Sequence, residues 1–199
     1  MRQFVLLAHD VPLDGEFSLD DLAGGAGRLD AICRSITAAF VTSHGIRTDV
    51  RVHLVIQDTC TITFDGADLR RLNPDERSTA ALVRNALEVR EEAIGMLPAE
   101  ASPGVELYRY GLETVLENVV DGTLIQLHED GESIPSLELS ALSDPVFVLS
   151  DHHDFTAREA TLLEERADLR IRLGPTRLHA DQAITVAHHA FDTEGYTHF

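Results

Sequence analysis

The chain has 199 residues, 44% of them apolar, which is enough for one compact core. Its formal charge is −18, from 34 acidic residues against 16 basic ones, and every basic residue is an arginine. No apolar run approaches the roughly 20 residues of a membrane helix. Cys33 and Cys60 are too few and too far apart for a disulfide framework or a zinc ribbon, and Met1 to Asp10 reads as a strand rather than a signal peptide, so a cytoplasmic protein is expected.

Acidity without lysine points to a salt-loving source. At molar salt the Debye length falls to about 3 Å, so a dense acidic surface repels itself little and keeps the protein in solution. The charge is also uneven. Residues 1–90 hold ten arginines against 13 acids, whereas residues 91–157 hold Arg109 alone against 14 acids. A polyanion is therefore expected to dock on the N-terminal half.

In chain order, Arg2 to Ala8 reads as a first strand, followed by a Gly/Asp-rich loop through Gly27. Leu29, Ile32, Cys33, Ile36, Ala39 and Phe40 recur at helical spacing, predicting a helix to about Thr42. Arg51 to Gln57 and Thr61 to Phe64 are β-rich runs able to pair. At Asn73 to Glu76 the sequence offers a helix start, with Asn73 as cap, Pro74 in the first turn and Glu76 reaching back, and this helix should last to about Ile94. Gly95 to Gly104, with Pro98 and Pro103, is the most linker-like segment. It separates the half expected to face a polyanion, 1–94, from a second half, 105–199, within a single domain.

Beyond it, Val105 to Tyr110 reads as a strand, Leu112 to Val120 as a short helix and Thr123 to Leu127 as a strand. Pro145 to Leu149 is a continuous apolar run of the kind buried in a parallel sheet. Thr156 with Glu159 forms a capping box ahead of a helix to about Ala167; Leu169 to Leu173 is a strand and Ala180 to Phe191 a last helix. Alternation of strands and helices makes the fold α/β.

Open α/β sheets bind ligands at the carboxyl ends of their strands, and three strand ends here carry suitable loops: Leu127 to Gly131, Ser150 to Asp154 and Gly174 to Leu178. Composition alone would equally make the first two surface turns. Gly24 to Gly27 precedes a helix but lacks the Lys-Ser/Thr of a phosphate-binding loop. The histidine pairs His152-His153 and His188-His189 show no zinc-binding spacing, so no metal is expected.

Particular stretches carry a resemblance. Residues 145–152 (PVFVLSDH) and 173–185 (LGPTRLHADQAIT), with 26–30 (AGRLD), 43–49 (SHGIRTD) and 73–77 (NPDER), are similar, in order and over nearly the whole chain, to the archaeal tRNA pseudouridine N1-methyltransferases, the TrmY family of the SPOUT superfamily. The resemblance implies a parallel-rich sheet flanked by helices and a C-terminal deep trefoil knot, one of the rare exceptions to unthreaded connections. It also implies a homodimer that binds S-adenosylmethionine.

Carried over by position, the cofactor-binding residues are Leu127, Ser150, Leu173, Gly174, Pro175, Thr176, Arg177, Leu178 and Ala183. Ser150 stands where glycine is common and Ala183 where some members have cysteine. Both replacements are small. Gly174 lets backbone approach a ligand, Pro175 stiffens the loop, and Leu173 and Leu178 supply apolar walls.

The implied substrate is the pseudouridine at position 54 in the T loop of tRNA, methylated at N1. That base must be drawn from its stack, and its N1 proton must be removed. Arg28, Arg34, Arg47 and Arg77 are candidates to clamp the flanking phosphates, although Arg34 can equally pair with Asp30 and Arg77 can stand solvated on its helix. Asp30, Asp75 and Asp151 are candidate proton acceptors or base-edge readers, each also readable as a cap or salt-bridge partner. The base itself is not legible. Two other readings stay open: a related SPOUT enzyme acting on ribosomal pseudouridine, and a non-catalytic RNA-binding or assembly protein.

Overall fold

The computed structural model describes residues 1–70, 72–119 and 121–199. In chain order it contains β1 (Arg2–Ala8), α1 (Leu29–Phe40), β2 (Val41–Thr42), β3 (Gly45–Ile46), β4 (Val50–Ile56), β5 (Cys60–Asp65), α2 (Glu76–Glu88), β6 (Ala99–Ser102), β7 (Val105–Tyr108), α3 (Leu112–Asn118), β8 (Leu124–Ser133), β9 (Val146–Ser150), α4 (Ala157–Arg166), β10 (Leu169–Arg172) and α5 (Ala180–Asp192).

Eight strands form one mixed sheet in the order β10-β8-β9-β1-β4-β5-β7-β6, while β2 and β3 make a separate ribbon. From β10 to β4 every neighbour is parallel, and from β4 to β6 every neighbour is antiparallel. β1 lies in the middle, with Leu6 beside both Leu54 and Leu149. Its residues Phe4 to Ala8 are all buried, as is the run Val146 to Leu149 in β9, because helices cover both faces.

Helices α1, α2 and α5 pack on the face that carries Phe4, Leu6 and Phe147, and α3 and α4 pack on the face that carries Val5, Leu7 and Val148. Phe147 is stacked on Phe4 at 5.3 Å and meets Phe191 of α5 edge-on at 5.5 Å. Full burial of a ring such as Phe4 or Phe147 contributes about 1.5–3 kcal/mol, and the partly buried Phe191 fastens α5 to them at the sheet centre. Cys33 and Cys60 are buried small apolar groups; burial pushes the thiol of Cys60 up to about 11 and that of Cys33 higher still.

Several boundaries differ from those read in the sequence. α1 stops at Phe40, because Val41 and Thr42 pair with Ile46 and Gly45 in the small ribbon. α2 is capped by Asp75, whose Oδ1 accepts from the Ser78 amide at 2.8 Å, in place of Asn73; Pro74 stands before the helix, and the Glu76 carboxylate reaches Arg34 at 2.9 Å. The helix ends at Glu88, followed by a single 3-10 turn at Arg90–Glu92.

The linker-like stretch contains β6, which pairs with β7, so the sheet runs through the charge boundary. α3 is described to Asn118; its expected end at Val120 lies outside the described residues. β8 continues to Ser133 where an end near Leu127 was expected. Gln126 pairs with Arg170 and Glu132 with Ile171, so residues 127–131 form an excursion within the strand.

Candidate functional site: a cavity at the parallel strand ends

Strands β1, β9 and β10 all end, and β8 makes its excursion, at the same edge of the sheet. There a cavity of about 580 Å³ opens, within the usual range for small-ligand sites. Its walls come from three segments: the β8 excursion (Leu127 to Glu129), the loop after β9 (Ser150 to Phe155), and the loop after β10 with the first turn of α5 (Leu173 to Ala183). Of the nine residues expected to hold the cofactor, eight line this one cavity; Pro175 belongs to the same loop without lining it.

The lining has a character suited to a ligand with both polar and apolar parts. Leu127, Leu173 and Leu178 are apolar and partly buried. The Ser150 hydroxyl is buried and has no hydrogen-bond partner among the described residues, an unsatisfied group that a bound molecule could satisfy. A Cβ placed on Gly174 would meet nothing within 4 Å, so this backbone borders open space. Both observations fit a cofactor held largely by main-chain groups and small side chains.

Across the mouth, Arg177 binds Glu129 on the β8 excursion and Asp154, at 3.2 Å, on the loop after β9. One side chain thus ties all three cavity loops together. It is exposed, so solvent screening keeps the tie weak.

A tighter fastening lies where β1 meets β9. His9 donates its backbone N–H to Asp151 Oδ2 at 2.8 Å, its ring Nδ1 lies 2.9 Å from Asp151 Oδ1, and Nε2 lies 3.1 Å from Glu159 Oε2. Ionised carboxylates only accept, so the ring donates from both nitrogens and carries charge. Burial of the ring opposes that charge, but the hydrogen bonds and charges of Asp151 and Glu159 outweigh it and raise the pKa above the ordinary histidine value. Glu159 also closes the capping box of α4 with Thr156. Sequence reasoning passed over His9 and Asp10 and read Glu159 only as the capping partner of Thr156. The available signal was position, since His9 and Asp10 directly follow the buried run Gln3 to Ala8 of a parallel strand.

Beside this clamp, His153 Nε2 lies 2.7 Å from Asp10 Oδ2, and the His152 ring lies tilted against that of His153 with centroids 3.9 Å apart. Asp10, His152 and His153 bring one carboxylate or ring-nitrogen atom each within 4.8 Å of the others, all at the exposed rim.

Among the arginines named from the sequence, Arg28 and Arg34 both bind Asp30, and Arg34 also binds Glu76 and reaches within 4.0 Å of Asp181 in the first turn of α5. They form a half-exposed ledge beside the helix that walls the cavity. Gly27, with φ of +60°, lies so close to Asp10 that a Cβ there would stand 2.2 Å from the Asp10 carbonyl oxygen, which brings this ledge against the loop after β1. Arg77 is exposed and paired with Asp20. Arg47 binds Asp192 at the far end of α5, the end opposite the cavity.

The three carboxylates named from the sequence all have partners. The hydrogen bond from Arg28, aided by that from Arg34, holds Asp30 down at about 2 against its partial burial. Asp75 caps α2, and Asp151 accepts from His9 and from the His153 amide.

The family described as "Putative SAM-dependent RNA methyltransferase" matches residues 1–196. The tRNA (pseudouridine(54)-N(1))-methyltransferase of Haloarcula marismortui is 62% identical over 200 aligned positions, covering 100% of both chains, and that of Haloferax volcanii is 60% identical over the same span. Among solved structures, Archaeoglobus fulgidus Nep1 bound to S-adenosylhomocysteine matches with a TM-score of 0.65, covering 99% of each chain at 14% identity, so the two share a fold. With its whole length accounted for in this way, the chain belongs to the SAM-dependent RNA methyltransferase family.

Proposed function

We propose that this protein transfers a methyl group from S-adenosylmethionine to N1 of the pseudouridine at position 54 of tRNA. The observation that carries the reading is the cavity at the parallel strand ends, with its unsatisfied Ser150 hydroxyl and open Gly174 backbone, set beside the Arg28–Asp30–Arg34 ledge. Relatives aligned end to end carry that activity in their names.

In this reading the cofactor supplies an electrophilic methyl group. Leu127, Leu173 and Leu178 give apolar walls, Ser150 donates its free hydroxyl, and the main chain of 173–178 with Ala183 shapes the pocket. Pro175 restrains the loop, Thr176 lines it, and Arg177 draws the three loops over the mouth. Holding the methyl carbon and N1 in line removes most of the entropic barrier to transfer. Arg28 and Arg34 take flanking phosphates in exchange for Asp30 and Glu76, while Arg77 and Arg47 extend the contact across the N-terminal half.

The knot, the homodimer, the cytoplasmic setting and the salt-rich habitat belong to the same proposal. β10 is an edge strand, and the loop after it leads straight into α5, which packs on α1; a chain end threaded there would hold 173–178 without any ligand-binding charge. At −18 the surface suits molar salt.

The experiment is mass spectrometry of T-loop and ribosomal transcripts, each containing pseudouridine, after incubation with enzyme and S-adenosylmethionine. N1-methylpseudouridine in the T-loop RNA is the expected outcome. Product in the ribosomal RNA alone would move the substrate. Product in neither, with no heat of S-adenosylhomocysteine binding at working salt, would favour a non-catalytic RNA-binding protein.

A further inference from the structure

The reaction needs a group to take the N1 proton, and the cavity rim contains several histidines. Their hydrogen bonds decide which of them has a lone pair to offer. His9 donates from both ring nitrogens to Asp151 and Glu159 and has none. His128 Nδ1 accepts from the Asp130 amide at 3.2 Å, so its lone pair is already used.

His153 is different. Its Nε2 faces Asp10 Oδ2 at 2.7 Å, and an ionised carboxylate cannot donate, so Nε2 carries a proton and, in the neutral ring, Nδ1 carries the lone pair. The residue is fixed twice, once through its ring and once through its backbone. Asp10 comes from the loop after β1, and the His153 amide donates to Asp151 Oδ1 at 2.8 Å, on the carboxylate that the His9 clamp holds.

Resting on the reaction proposed above, we infer that His153 is the general base, taking the N1 proton at Nδ1, and that Asp10 is the residue that positions it. The N1 lone pair forms the N–CH3 bond as the S–CH3 bond breaks. Sulfur keeps that bonding pair and leaves as the thioether of S-adenosylhomocysteine, and the N1 proton ends on Nδ1 of His153. The new imidazolium charge faces Asp10, with Asp151 nearby on its own loop, while the rings of His152 at 3.9 Å and His9 at 5.7 Å are the other titratable groups packed against it.

The rim contains two rivals. His152 lies 3.7 Å from Asp10 and 3.8 Å from Asp151, too far for either to fix its tautomer, and His179 opens α5 at the cavity wall.

The test compares H153A, H152A, H179A and D10N with the unmodified protein at its working salt. Single-turnover methylation of the T-loop transcript is measured against pH, and S-adenosylhomocysteine binding is measured by calorimetry. H153A should lose about a hundredfold or more in kcat, lose the acid limb of the pH profile, bind S-adenosylhomocysteine within about threefold of normal and regain rate with added imidazole. D10N should lose about tenfold or more in kcat with KM little changed.

Full activity in H153A, or loss of the acid limb in H152A or H179A instead, would overturn the assignment while leaving the reaction intact. Abolition of activity by a chelator, with recovery on adding zinc, would overturn it too, by making Asp10 and the two histidines a cation site. If the unmodified protein makes no N1-methylpseudouridine, the proposed reaction fails first and takes this assignment with it.

Discussion

Gly131 lies so close to β10 that a Cβ at this position would stand 2.5 Å from the Ile171 carbonyl carbon. Only a residue without a side chain allows the β8 excursion to lie flat against its parallel neighbour, and that excursion puts Leu127 and Glu129 in the cavity wall. G131A must therefore push backbone against backbone. A loss of about 1–3 kcal/mol in urea unfolding is expected, as for other overpacked sites, together with weaker S-adenosylhomocysteine binding. Unchanged stability and affinity would show that the excursion does not shape the cavity.

Two buried histidines make the fold sensitive to acid. His53 is pushed down to about 4 by burial and by the nearby Arg51 charge, and His188 to about 4 by burial and by Arg47 and Arg2. Both are neutral in the fold, with His53 bonded to Thr63 and Gln3 and His188 to the Ala39 carbonyl. A depressed folded pKa means that the unfolded chain binds more protons below the ordinary value of 6.5. Stability should then fall from pH 6.5 towards 4, by at most about 1.4 kcal/mol per pH unit for each group. His9 has the opposite sign. Its raised pKa gives stability that is complete below 6.5 and lost as pH climbs through the folded value. Denaturant titrations of H53Q and H9Q against the unmodified protein should flatten the acid and alkaline limbs respectively, and parallel curves would refute the assignment.

The strands and helices were legible because their signals are local: continuous apolar runs at 4–8 and 146–149, the Thr156/Glu159 capping box, and helical spacing after Leu29. The misreadings came where a residue had two uses. Glu76 looked like the return half of a capping box but serves Arg34, and Ala99 to Ser102 looked like a linker until it found β7 as a partner. Within the site, strand-end position raised the loops that begin at Ser150 and Gly174 as candidates, but composition read the first equally as a surface turn, and it was the resemblance that singled out Ser150, Leu173 and Ala183. The His9–Asp151–Glu159 clamp spans 150 positions of sequence, so no local pattern could reveal it.

Gly174 separates the cavity from the packing of the fold. A Cβ there meets no atom of the described residues within 4 Å, so G174R should leave secondary structure and unfolding midpoint nearly unchanged. The guanidinium would project into the cavity instead. S-adenosylhomocysteine binding should fall below detection by calorimetry, while tRNA binding by filter retention persists. Retained cofactor affinity would place the donor elsewhere.

Arg28 tests the ledge. It sits at φ of +59° just before α1 and holds Asp30 through two of its nitrogens. If its guanidinium exchanges Asp30 for an RNA phosphate, R28A should weaken tRNA binding several-fold and make the dependence of log K on log salt shallower by about one unit, the mark of one lost phosphate contact. Cofactor affinity should not move, because Arg28 does not line the cavity. The contrast matters because Asp30 has a second partner in Arg34, so removing Arg28 leaves that carboxylate paired and α1 in place. Equal loss of tRNA and cofactor binding would mean that Arg28 serves the start of α1 rather than the nucleic acid.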